Sequence, residues 1–329
     1  MEKLSSVMDI DSLADEFASK IQNPAILAKC FSNNKCNLLH SAFAWKDKIH
    51  LYQEVESTNI LAREALEKAI QEAPLHHHNG NLTNQGKLIH SSIFFAEQQT
   101  GGRGRQGRSF FSPQTTGLYL SLIIIPPKGV TNPSSLTATT AVAVSKALEQ
   151  VYKIQPAIKW VNDIFYQGKK IGGILAEGVM DSERGMIPGA VIGIGLNIMP
   201  PEQGFPPEID SIAGAVFPTY TPEKELNKKD LVVAIVSNLL QSLEILWSQD
   251  SKPHTNDAIM EEYRKRCLIK PGSKIKVFPL AGSTEQFYLA TCLGIDHQAR
   301  LQVLTEDGQQ KLLGSGEVSL QSLNFTNSL

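Results

Sequence analysis

"GRGRQGRSFF", residues 102–111, carries the spacing G-x-G-x-x-G at Gly102, Gly104 and Gly107, and its reading decides the fold. A dinucleotide-binding unit needs a helix N-terminus directly after the glycines to hold a pyrophosphate, and an acidic residue about 20 positions later for a ribose hydroxyl. Here the strand-like run GLYLSLIII (117–125) follows, and the next acid is Glu149. The doubly wound reading fails on context, and no G-x-x-x-x-G-K phosphate loop exists elsewhere. The stretch does supply Arg103, Arg105 and Arg108, within a segment from Gln98 to Leu148 that contains no Asp or Glu. Guanidiniums this close repel one another unless a shared anion balances them, and glycine lets a backbone fold over a ligand. A mobile loop that binds phosphate or carboxylate is expected; a flexible connection with solvated arginines is the alternative these residues leave open.

Strand and helix patterns alternate on both sides of this loop. KIHLYQEV (48–55) reads as a strand, and Ser57, Thr58 or Asn59 then caps a helix with apolar positions Leu61, Ala62, Ala65, Leu66, Ala69 and Ile70. LIHSSIFFAEQQ (88–99) and GLYLSLIII read as strands, and SLTATTAVAVSKALEQVY (135–152) as a closely packed helix of small residues. AIKWVNDIFYQGKKIGGILAEGVM (157–180) predicts strand, turn and strand around Gln167–Gly168, and GAVIGIGLNIM (189–199) another strand. Two helices, over 230–249 and 257–269, precede Pro271–Gly272, after which only short strands occur, at 274–280, 287–295, 300–306 and 310–320. The fold class is α+β, a mixed central β-sheet flanked by helices with a small C-terminal SH3-like β-barrel. The expected divisions are an N-terminal helical extension (1–48), a catalytic domain (49–269), the barrel (270–323) and a tail (324–329).

Composition narrows the function. With 31 basic and 33 acidic residues among 329, the chain is not a general polyanion binder. The extension contains one amphipathic helix, Asp11–Ile21, and six lysines balanced by six acids, so DNA binding is not expected of it. No long apolar run or signal core is evident, which predicts neither export nor membrane spanning and places the chain in the cytoplasm. Cys30, Cys36, Cys267 and Cys292 form no C-x-x-C pair and suit reduced thiols. His76, His77 and His78 lie in a polar loop (74–86), where adjacent side chains rarely converge on one metal ion.

Two further stretches point to a ligand. In VIGIGLNI, Ile192, Ile194, Leu196 and Ile198 take one face of a strand, while Gly193, Gly195 and Asn197 take the other. Glycines inside a strand mark close approach by a ligand, or close packing of a helix. In KWVND (159–163), alternation puts Lys159 with Val161 and Trp160 with Asn162. A lysine in so apolar a strand either reaches out to solvent or awaits an anion.

Taken together, ESTN (56–59), AEQQTGGRGRQGRSFFSP (96–113), KWVND, KKIGGILAEG (169–178), GIGLNI (193–198) and GEVSL (316–320), in this order, resemble the biotin protein ligase family over about residues 49–323. The resemblance implies an enzyme that condenses biotin with ATP to biotinyl-5′-adenylate. It then passes the biotinyl group to a lysine of a biotin carboxyl carrier protein, in acetyl-CoA carboxylase or another biotin-dependent carboxylase. It also implies a sheet like that of class II aminoacyl-tRNA synthetases and lipoate ligases, with ATP and biotin as substrates and Mg²⁺ on the phosphates. Biotin would meet Ser57, Thr58, Asn59, Gln99, Arg103, Gly104, Arg105, Lys159 and Gly173, and the nucleotide Arg103, Arg105, Arg108, Phe110, Asn162 and Asn197. Lys159 and Arg105 would be catalytic, with no protein metal site. Val161 stands where the family usually has proline, and Phe110 where it often has tryptophan. A homodimer stays open, as do a lipoate or octanoate ligase of the same fold and a nucleic-acid-binding module that uses the arginines with Phe110 and Phe111.

Overall fold

A computed structural model describes residues 45–248, 257–279, 287–314 and 318–322, together with residues 12, 13, 15 and 16. Seven strands, β1 (Ile49–Val55), β2 (Ile93–Gln99), β3 (Gly117–Ile124), β4 (Ala157–Lys159), β5 (Asp163–Tyr166), β6 (Lys169–Asp181) and β7 (Met186–Asn197), form one sheet in the order β1-β2-β3-β7-β6-β5-β4. Only β1 and β2 run parallel, so the sheet is mixed, as the element order predicts.

Alternation along the central strands divides two cores. Leu118, Leu120, Leu122 and Ile124 of β3, with Ile192, Ile194 and Leu196 of β7, face α3 (Pro133–Tyr152), α5 (Lys228–Ser248) and α6 (Asp257–Arg266). Ile123 and Val191 face α1 (Thr58–Glu72), which buries Ala62, Leu66 and Ala69 there. Burying each large apolar side chain contributes about 1.5–3 kcal/mol, so this two-sided burial holds the sheet rigid under the site. α3 starts where Asn132 accepts a hydrogen bond from Ser135 N (3.1 Å) with Pro133 in the first turn, and it ends at Lys153 in a left-handed conformation. Its alanines, serines and threonines let it lie close against α5. Against the expectation that no long apolar run exists, the Lys228–Trp247 stretch of α5 is by length and composition apolar enough to cross a bilayer, but more than half of it is buried in the protein.

The second sheet, β8 (Lys274–Pro279), β9 (Tyr288–Ile295), β10 (Leu301–Thr305), β11 (Gln310–Leu313) and β12 (Val318–Ser322), is antiparallel in the order β11-β10-β9-β8-β12. Among the described residues its edge strands β11 and β12 do not pair, and the predicted strand over 310–320 is two strands. Its inner face, with Ile275, Cys292 and Leu301, joins the same core as α3, α5 and α6. Cys267 and Cys292 are buried free thiols; Cys30 and Cys36 lie outside the described residues.

One local expectation needs correction. Leu88 and Ile89 end the short helix α2 (Asn84–Ile89), whose cap Thr83 accepts from Gly86 N (3.1 Å), so the strand begins only at Ile93. The histidine loop is pinned where a His76 ring nitrogen meets Pro126 O at 2.7 Å. Of the predicted N-terminal helix, the described residues are helical: Leu13 is buried in the main core, and Lys229 Nζ reaches Ser12 Oγ (3.1 Å) and Glu16 (3.3 Å).

Beneath β1, Lys48 Nζ donates to Lys87 O (2.9 Å) and His90 O (2.6 Å), while His90 Nδ1 accepts from Ile125 N (3.0 Å). Burial, and secondarily the Lys48 charge, push the His90 imidazole down to about 3 from 6.5. The unfolded chain therefore takes up a proton below about pH 6.5 that the folded chain refuses until about pH 3. The stabilisation from neutral, buried His90 is present above that window and lost progressively as pH falls through it. Thermal melts between pH 3.5 and 7.5 are expected to show a clearly shallower acid decline for His90→Gln than for wild type; parallel declines would show that His90 does not set it.

Candidate active site

β1 ends at Val55, and the turn through Ser57 starts α1 over the face of β3 and β7 that carries Ser121 and Gly193. Ser57 supplies the N-cap without a side-chain capping bond, while Thr58 and Asn59 point down into the sheet and are buried. Thr58 N and Oγ1 both donate to Gln99 Oε1 (2.9 and 3.1 Å), and Gln99 Nε2 donates to Ser112 Oγ (2.9 Å). Ser121 Oγ donates to Asn59 Oδ1 (2.6 Å), and Asn59 Nδ2 donates to Glu177 Oε2 (3.0 Å). This network spans α1, β2, β3 and β6 and fixes the polar end of a cavity of about 280 Å³.

The glycines of β7 resolve an ambiguity the sequence left. A Cβ at Gly193 would lie 2.1 Å from Asn59 Oδ1, and one at Gly195 would lie 2.6 Å from Phe110 Cε1. Side chains of the site, rather than a ligand or a helix backbone, occupy the space those glycines leave. Phe110 lies over Gly195 and packs edge-to-face with Tyr119, at 6.4 Å between centroids.

The arginine loop closes the opposite wall. Ser112, at its far end, pairs with Gln99, and Phe110 N donates to Gly102 O (2.8 Å), so the loop folds back on itself. Arg103 reaches Glu177 (3.2 Å), and Arg105 Nη1 donates to Asn162 Oδ1 (2.9 Å), while Arg105 Nη2 is buried with no hydrogen-bond partner. Burial holds the Arg105 guanidinium below its ordinary value; Asp163 opposes this and Arg108 adds to it. Arginine stays charged under such shifts, so a cationic donor faces a site that offers it too few acceptors.

KWVND is not a continuous strand. Lys159 pairs with Asp163 across a β4–β5 hairpin, so residues 160–162 are its turn and the alternation read from the sequence stops at Lys159. Trp160 points away from the loop, its Nε1 donating to Ala299 O (2.8 Å). Val161 is fully buried in the core, and Asn162 Nδ2 donates to Ile174 O (3.1 Å). Burial pushes the Lys159 ammonium down, with Asp163 opposing and Lys170 and Arg108 adding to the effect. Asn197 Nδ2 donates to Gly214 O (3.0 Å), which ties β7 to the segment beyond α4 (Pro207–Asp210).

The cavity gathers every residue expected of it. Ser57, Thr58, Asn59 and Gln99 line one end, Arg103, Gly104, Arg105, Arg108 and Phe110 the loop side, and Lys159, Asn162, Gly173 and Asn197 the floor. Sequence reasoning gave no role to three groups inside motifs it quoted. Lys170 Nζ lies 2.7 Å from Asp163 Oδ1, both lining the cavity beside Gly173, and Glu177 stands behind Arg103. It also missed an apolar wall, Phe205, Ile209 and Ile212, supplied by the connection after β7. Five cations therefore line a pocket with one carboxylate, Asp163, among them, and the apolar wall adjoins this cationic patch.

A profile of the Biotin/lipoate A/B protein ligase family matches residues 75–197. The biotin acetyl-CoA-carboxylase ligase of Mycobacterium tuberculosis is 31% identical over 240 residues, 71% of this chain and 80% of that one. The chain belongs to the biotin protein ligase family. A second family member, the bifunctional ligase/repressor of Bacillus spizizenii, is 32% identical over 221 residues; the match spans 67% of this chain and 64% of that protein. The biotin protein ligase from Aquifex aeolicus in complex with biotin and ATP superposes with a TM-score of 0.61 at 24% identity, over 84% of this chain and 99% of that one, which shows the shared fold.

Proposed function

We propose that the chain is an ATP-dependent biotin protein ligase acting in the cytoplasm, with residues 49–269 as its catalytic unit and 270–323 as a supporting C-terminal unit. The observation that carries this reading is a cationic pocket in which a buried arginine nitrogen lacks an acceptor, adjoining both a polar network and an apolar wall. A carboxylate and a triphosphate repel each other, so bringing them together requires fixed positive charge, and Lys159, Lys170, Arg103, Arg105 and Arg108 supply it. The biotin carboxylate oxygen attacks the α-phosphorus, the bond to the bridging oxygen breaks, and pyrophosphate leaves with that electron pair. The lysine amine of a carboxyl carrier protein then attacks the acyl carbon of the adenylate and releases AMP. Ser57, Thr58, Asn59 and Gln99 present hydrogen-bonding groups to the head of biotin, and Phe110 with the 205–212 wall encloses the apolar parts of the ligands.

No group of three His, Cys, Asp or Glu side chains suited to a metal gathers among the described residues. Mg²⁺ enters this proposal as part of the ATP substrate. Closure of the loop keeps water from the mixed anhydride, which would otherwise hydrolyse. The arginines line a cavity instead of an open groove, which supports a small anionic ligand over a polynucleotide.

Because the matching family includes lipoate ligases, the test sets acids side by side. Pyrophosphate–ATP exchange with Mg²⁺ is expected with biotin and to be at background with lipoate and octanoate. Exchange with lipoate instead would move the chain to the other branch, and none with any acid would sink the ligase reading.

A further inference from the structure

Glu177 has two partners, one from each end of the site. Its Oε2 accepts from Asn59 Nδ2 (3.0 Å) on α1, and its Oε1 meets Arg103 Nη2 (3.2 Å) at the base of the arginine loop. It lies on β6 opposite Val191, two residues beyond Leu175 of the cavity wall, and does not itself line the cavity. The loop is a short hairpin here: Gly104 N donates to Arg108 O (2.7 Å) and Arg103 bridges to Ser109, so holding Arg103 holds the tip that presents Arg105 and Arg108. A surface ion pair often contributes little, because two side chains must be ordered to make it. Here the Glu177 side chain is 17% exposed and already fixed by Asn59, so the ordering falls on Arg103, which is 41% exposed.

We propose that Glu177 is a positioning residue that latches the arginine loop to the biotin end of the cavity: one carboxylate oxygen orients the Asn59 amide and the other holds Arg103, so that the two are set together. The inference rests on reading the cavity as a biotin site, and Glu177 itself touches no substrate. With Ser121 Oγ donating to Asn59 Oδ1 and Asn59 Nδ2 donating to Glu177, the amide has one orientation, and its second N–H remains for the cavity. A ligand that binds this oriented amide favours the state with Glu177 in place, and the placed carboxylate favours the closed loop. By reciprocity the closed loop favours the ligand. A neutral amide at position 177 would accept from Asn59 through its oxygen and turn an NH₂ group toward Arg103, so it would serve one partner only.

The test is Glu177→Gln in the full chain, an isosteric change, read by hydrogen exchange of the 102–111 amides in protein without ligand and by pyrophosphate exchange with biotin varied. The loop amides are expected to exchange about fivefold faster than in wild type, the size of one partly screened ion pair, and KM for biotin to rise by a similar factor with kcat little changed. With Arg103→Ala already in place, Glu177→Gln is expected to change neither readout further, since the new amide oxygen still accepts from Asn59. Wild-type loop exchange in Glu177→Gln would overturn the proposal, whether or not the melting temperature falls, as would a full loss added on top of Arg103→Ala. Exchange of the ligand-free loop needs no biotin chemistry, so a wild-type protein without pyrophosphate exchange would sink the ligase reading while the latch is still judged on the loop.

Discussion

Replacing Lys170 by alanine is expected to slow biotin-dependent pyrophosphate exchange by about 10²–10³-fold, the loss typical of one preorganised charge donor at a developing oxyanion. Lys170 stands at the start of β6, and its ammonium is aimed by Asp163 across the β5–β6 hairpin at 2.7 Å. Alanine removes the charge and leaves Asp163 lining a pocket meant for anions, so the carboxylate now repels what its partner attracted. Lys159→Ala is expected to fall in the same range, because Lys159 shares the hairpin with Asp163 and adds its charge from the neighbouring strand. Asp163→Asn provides the check on cause. It keeps both ammoniums but releases Lys170, and it should cost clearly less than either lysine. Should Lys170→Ala keep more than half of wild-type exchange, the pocket's charge is not what drives adenylation.

How far these groups are legible in the sequence follows from how local their signals are. The strands β1, β3, β6 and β7 and the helices α1, α3, α5 and α6 carry clean periodicities, and the structure places them accordingly. KWVND deceives because Trp160 and Val161 are apolar and extend the pattern of β4, whereas tertiary contacts turn the chain there: Trp160 binds Ala299 O, and Val161 enters the core. The wall at 205–212 has no periodicity of its own. It is set by Lys170 N donating to Ile212 O (2.8 Å) and Gly214 N donating to Lys170 O (2.8 Å), pairings between segments about 40 residues apart that no local pattern announces. The Arg103–Glu177 contact likewise depends on the strand order β3-β7-β6. Legibility was therefore good for faces and poor for partners.

The glycines of β7 make the second large effect, and they separate the two ends of the site. Neither Gly193 nor Gly195 has a left-handed backbone, so alanine is permitted there by conformation and excluded only by what lies opposite. In Gly193→Ala the new methyl meets both the oxygen and, at 3.0 Å, the nitrogen of the Asn59 amide, which must move. Asn59 then loses Ser121 and Glu177, and Glu177 is left to Arg103 alone. In Gly195→Ala the methyl meets the Phe110 ring along one edge, at 2.6 to 2.9 Å, and displaces it toward the cavity without touching Asn59. Each overpacked site is expected to cost about 1–3 kcal/mol of stability, which a domain of this size tolerates at 25 °C. The kinetic consequences should diverge: Gly193→Ala raises KM for biotin about tenfold or more with KM for ATP little changed, and Gly195→Ala does the reverse. Steady-state exchange with each substrate varied in turn reads this directly. If both variants raised the same KM, the assignment of Asn59 to biotin and Phe110 to the nucleotide would be wrong, since the two methyls enter the cavity floor two residues apart on one face of one strand and differ only in the side chain they strike.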